Sequence, residues 1–132
     1  MSAKPSPRET FNLLPEIEKG MAFTQAIKTG DTIYVSGTVG IDGNGKFISP
    51  NSMEAQLLQI YANIEKTLAH FGATLDHVVA ETVYVIDIED YKRIGIKRRI
   101  YANRTPPTST AIQISALAFP ELLAEISAVA RL

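Results

Sequence analysis

A chain of 132 residues is the length of one domain, and with 45% hydrophobic residues it can bury a core without staples. The formal net charge of −1 excludes a nucleic-acid or membrane footprint set by overall charge. There is no cysteine, which removes disulfides, thiol nucleophiles and thiolate metal sites. No apolar run approaches the roughly 20 residues that span a bilayer. Met1 to Thr10 carries charge and two prolines but no apolar signal-peptide core, so a soluble cytoplasmic protein is the expectation.

Residues 1–20 read as a polar, proline-punctuated lead-in, partly flexible at its start, and residues 21–132 as one folded domain. Phe23 to Ile27 alternates apolar and polar, Lys28-Thr29-Gly30-Asp31 supplies turn residues, and Thr32 to Ser36 is β-rich, which predicts a hairpin. Asp42-Gly43-Asn44-Gly45 is a second turn, with Phe47 and Ile48 returning as a short strand. Asn51 or Ser52 caps a helix whose Leu57, Tyr61, Ile64, Leu68 and Phe71 form one apolar face, and Gly72 ends it.

His77 to Ile86 is rich in Val, Thr and Tyr and predicts a strand. Asp87 or Asp90 begins a second helix that ends before Pro106 and Pro107. Ser109 to Ser115 and Leu122 to Ala130 are the last two strands. The order defines an α+β domain with two helices packed on one face of the sheet. Val83 and Val85 then oppose Tyr84 and Ile86, and Ile126 opposes Val129, so the sheet is apolar on both sides. Two helices cover only one side, which predicts a second subunit on the other.

Three motifs stand in a recognisable order: Gly30-Asp31-Thr32-Ile33-Tyr34-Val35-Ser36-Gly37, Arg104-Thr105-Pro106-Pro107-Thr108-Ser109-Thr110, and Leu123-Ala124-Glu125-Ile126-Ser127-Ala128-Val129-Ala130. Together they resemble the Rid (YjgF) family over about Met21 to Ala130. Those are small trimeric proteins whose best-known members hydrolyse reactive imines and enamines. The resemblance implies a Rid/chorismate-mutase-like domain with a mixed sheet, a homotrimer with ligand clefts between neighbours, a small-molecule ligand and no cofactor.

The resemblance also implies site residues. Phe23 stands where the family usually has a tyrosine, Ser36-Gly37 matches a Ser-Gly pair, and Gly95 falls at a helix asparagine. The carboxylate-gripping arginine of the imine hydrolases falls at Thr108, and the water-activating glutamate is retained as Glu125. Threonine offers one neutral hydrogen bond where arginine offers a charged fork, a difference of roughly 2–5 kcal/mol in binding. A 2-imino acid is therefore a poor expectation for the substrate. Ser109 keeps a hydroxyl in that region, and Arg104, four residues before Thr108, is the candidate for the absent charge.

Glu125 in an apolar run points to a carboxyl with a raised pKa that can move a proton near neutral pH, if it is buried unpaired. Glu81, in a second apolar context, reads as a paired structural carboxylate at a sheet edge or interface. Glu89, Arg93 and Lys97 at i, i+4 spacing read as a solvated ion-pair ladder. His70 and His77 lack metal-ligand spacing, and no phosphate-binding loop occurs, so no metal is expected. An enzyme of the imine- or enamine-hydrolysing type leads; a non-catalytic small-molecule sensor or partner protein on the same scaffold is the alternative. Nucleic-acid action is disfavoured because no aromatic stacking platform accompanies the basic residues.

Overall fold

The structure, a computed structural model, describes residues 3–132. Strands β1 (Glu9–Phe11), β2 (Ala26–Thr29), β3 (Thr32–Thr38), β4 (Val78–Val85), β5 (Thr108–Gln113) and β6 (Ala124–Arg131) form one mixed sheet in the order β1-β2-β3-β6-β4-β5. Among the described residues, only the β4–β5 pairing is parallel. The hairpin between β2 and β3 turns at Gly30-Asp31, where Gly30 takes a positive φ of 57° that other residues resist. The predicted Phe47–Ile48 strand is reduced to a single bridge from Ile41 to Phe47.

Helix α1 spans Pro15–Met21, α2 Met53–His70, α3 Ile88–Ile94 and α4 Ile96–Ile100. Ser52 caps α2 by accepting from the Ala55 amide at 3.1 Å, and Asp87 caps α3 by accepting from Asp90 at 3.1 Å. Leu57, Ile60, Tyr61, Ile64 and Leu68 are almost fully buried against β3 and β6. Burying each such side chain contributes about 1.5–3 kcal/mol.

Two expectations need correction. The second predicted helix is broken at Gly95, whose φ of 61° is left-handed, so two short helices replace one. With α1, the two expected helices become four among the described residues. The lead-in 1–20 also supplies β1, which extends the sheet beside β2, and most of α1. Pro15 opens α1 at a position where its missing donor is harmless.

Alternation along β6 puts Ala124, Ile126, Ala128 and Ala130 in the core and turns Glu125, Ser127 and Val129 to the opposite face. Tyr34 and Ile112 are exposed, and Tyr84 and Val129 are half-buried on that face.

Glu81 lies in the core rather than at an edge or interface. Its carboxylate accepts from the Tyr61 hydroxyl at 2.7 Å and the Tyr101 hydroxyl at 2.8 Å. Burial and the neighbouring carboxylate push both phenols well above their ordinary pKa, so they remain donors. Tyr91, half-buried nearby, is pushed up to about 12 by the same two causes. A donor to a buried charge is worth roughly 1.5–3 kcal/mol. Tyr61→Phe is expected to lower the unfolding free energy by that amount in urea denaturation; an unchanged midpoint would show that the hydroxyl does not hold Glu81.

Candidate active site

Pairing between β3 and β6 shifts register: Val35 faces Ala128, but Thr38 faces Ile126. Two residues, Ser36 and Gly37, therefore oppose the single Ser127, which is a β-bulge. The bulge brings the bare backbone of Gly37 beneath the side chain of Glu125. A Cβ at Gly37 would stand 2.5 Å from Glu125 Oε2 and 2.8 Å from its Cδ. No larger residue leaves that room.

Glu125 lines a cavity of about 450 Å³ with Phe23, Ser36 and Gly37. Its walls are mostly apolar, including Leu13, Ile17, Met21, Phe47 and Phe119. The Phe47 and Phe119 rings pack with centroids 5.1 Å apart. Among the described residues, the Glu125 carboxylate has no hydrogen-bond or ion-pair partner. Burial pushes its pKa above the ordinary carboxylate value.

Ser36 is less available than its sequence position implies. Its hydroxyl donates to the Thr24 carbonyl at 2.6 Å and its amide donates to the Gln25 carbonyl at 2.8 Å. With both donors engaged, Ser36 can meet a ligand only as an acceptor.

A second carboxylate, Glu18 on α1, also lines the cavity and is 2% exposed. It accepts from Asn12 Nδ2 at 2.9 Å, from the Leu14 amide at 2.7 Å and from the Gln25 amide at 2.6 Å. Gln25 Nε2 donates onward to Thr38 Oγ1 at 3.0 Å and Thr67 Oγ1 at 3.3 Å. This chain ties the N-terminal segment to the bulged strand and to α2. Sequence reading missed Glu18 and α1, although Leu13, Ile17 and Met21 recur at four-residue steps.

The remaining candidates stand apart from this cavity. Thr108 and Ser109 lie exposed on β5 at the sheet edge, and Thr108 Oγ1 donates to the Val79 carbonyl at 3.0 Å. Arg104 pairs with Asp76 at 3.2 Å, so within this chain it supplies no charge to the cavity. Gly95 is the α3–α4 break, close under the Arg98 guanidinium. The expected ladder through Glu89, Arg93 and Lys97 is replaced by i, i+3 pairs, Glu89–Lys92 and Asp90–Arg93, with Arg99 reaching Glu54. His77 caps the turn at Thr74 through Nδ1, and no three potential metal ligands cluster among the described residues. No helix among them is long and apolar enough to cross a membrane.

Comparison with known proteins identifies the family to which this fold belongs. The family profile described as Endoribonuclease L-PSP matches residues 15–132. A RutC family protein of Saccharolobus solfataricus is 31% identical over 109 residues, covering 83% of this chain and 86% of the relative. The 2-iminobutanoate/2-iminopropanoate deaminase of Rattus norvegicus is 30% identical over 96 residues, covering 73% and 70%. A crystal structure of a YjgF/YER057c/UK114 family member from Mycobacterium tuberculosis superimposes with a TM-score of 0.81 at 30% identity, over 96% of this chain and 100% of that one. The chain belongs to the Rid (YjgF) family.

The Gly37–Glu125 contact makes a separable prediction. Gly37 has no positive φ, and the clash from an added Cβ falls on the far end of a flexible side chain. Gly37→Ala is thus expected to cost less than about 1 kcal/mol of stability. Displacing the carboxylate into solvent should bring the Glu125 titration down towards the ordinary glutamate value. Thermal melting and a carbon NMR titration of Glu125 on the same preparation check both halves; an unmoved Glu125 midpoint would show that the carboxylate's burial does not depend on the room left by Gly37.

Proposed function

We propose that the protein is a cofactor-free hydrolase of imines or enamines, acting as a homotrimer with its ligand clefts between neighbouring copies. The observation that carries this reading is the unpaired Glu125 carboxylate in an apolar cavity, set over a glycine. Deaminases of 2-iminobutanoate and 2-iminopropanoate among its relatives support the same reaction class. A carboxylate without a partner, its pKa raised by burial, is a competent general base near neutral pH.

In this reading, Glu125 takes a proton from a water molecule as the water oxygen adds to the carbon of the C=N bond. The proton passes to the nitrogen to give a carbinolamine; its O–H proton then moves to the nitrogen by way of Glu125 as the C–N bond breaks, and a carbonyl and ammonia leave. Phe23 supplies an apolar wall, and Ser36 accepts a hydrogen bond. The separation of Thr108, Ser109 and Gly95 from the cavity supports a site completed by another copy, because a neighbour's edge can bring them to its mouth, while Arg104 stays paired with Asp76. The face carrying Tyr34, Tyr84, Ile112 and Val129 is the apolar surface available to that neighbour.

Ammonia release from freshly generated imines is the test. Glu125→Gln should lose about 10²–10⁴-fold in rate while keeping the oligomer measured by sedimentation. The base works only when ionised, so the rate should rise with pH through the Glu125 titration and be lost as pH falls through it. That inflection is expected above the ordinary glutamate value of about 4.3. No acceleration over buffer with any imine would leave a non-catalytic binder on the same scaffold.

A further inference from the structure

The charge of the cavity bears on what it takes. Both ionisable side chains that line it are carboxylates, Glu18 and Glu125, and no Lys, Arg or His among the described residues joins them. Glu18 is satisfied by three donors; Glu125 is satisfied by none. The other wall groups are chiefly apolar, with Gln25 and Thr38 committed to each other at 3.0 Å. An anion entering this cavity meets negative charge without a compensating donor. A cation meets an unpaired carboxylate and an apolar wall that excludes water, where a charge pair is stronger than in bulk solvent.

We propose that the cavity selects an apolar organic cation without a carboxylate, an ammonium or iminium whose nitrogen sits at Glu125 and whose hydrocarbon body packs among Phe23, Phe47, Phe119 and Met21. This rests on the proposed hydrolytic reading for its chemistry and names the substrate class: carboxylate-free iminium ions. The reaction balances as R₂C=NH₂⁺ plus H₂O giving R₂C=O plus NH₄⁺, with no oxidant or reductant. Glu125 then has two successive partners, the bound nitrogen and the attacking water.

Probes of one size and three charges test the idea: benzylamine, benzyl alcohol and benzoate, titrated into the intact protein by calorimetry near neutral pH. Benzylammonium is expected to bind at least about tenfold more tightly than the alcohol, with benzoate weakest. Glu125→Gln should bring the amine down to the alcohol's affinity. In the unaltered protein, amine binding should weaken as pH falls through the Glu125 titration while alcohol binding stays level. The titratable groups facing Glu125 are Glu18 from α1 and Tyr84, its register partner on β4. Benzoate binding as tightly as benzylamine, or a preference untouched by Glu125→Gln, would overturn the inference.

Its failure is distinguishable from that of the hydrolytic reading. Faster hydrolysis of 2-imino acids than of carboxylate-free imines would sink the charge preference and leave hydrolysis standing. A clear preference for the amine with no hydrolysis of any imine would do the reverse.

Discussion

The cavity residues are placed relative to the contact between Glu125 and Gly37. Two strands of a sheet lie under five ångströms apart, and side chains on one face normally crowd their neighbours. The bulge at Ser36-Gly37 bends β3, and the missing side chain of Gly37 opens the space that the Glu125 carboxylate fills. A carboxylate there is shielded from water on its strand side and left without a donor. Burial without compensation is unfavourable for the charged form, and that same strain gives the group its proton affinity.

Glu81 shows the opposite arrangement on the other side of the sheet. Both carboxylates sit on central strands among apolar residues, and they look alike in sequence. Glu81 receives two phenolic hydroxyls from α2 and Tyr101 and is sealed in the core. Glu125 receives none and faces a cavity. The difference arises from alternation along the strands, since Glu81 shares its face with Val83 and Val85 whereas Glu125 faces away from Ile126. Glu18 gives a third case, a buried carboxylate that fixes chain geometry by accepting backbone amides.

Much of the fold was legible because local signals agreed with the final packing. The apolar stripe of α2, the cap at Ser52, the stop at Gly72 and the alternation of β4 and β6 all read directly. The lead-in did not, because α1 is short and its apolar residues only become a pattern once the cavity gives them a shared target. Gly95 was read as a substituted site residue, yet within this chain it breaks a helix. Phe23, Ser36, Gly37 and Glu125 were identified by family resemblance and do meet in one cavity. The bulge that joins them depends on pairing with a strand nearly ninety residues away, which no local window contains.

The most direct test is a site-resolved carbon NMR titration of the Glu125 side-chain carboxyl in the unaltered protein. A midpoint above the ordinary glutamate value of about 4.3 is expected, because the group is buried without a partner. A midpoint at or below that value would mean that the carboxylate is solvated or paired, and would contradict the proposal that it serves as the base of the cavity.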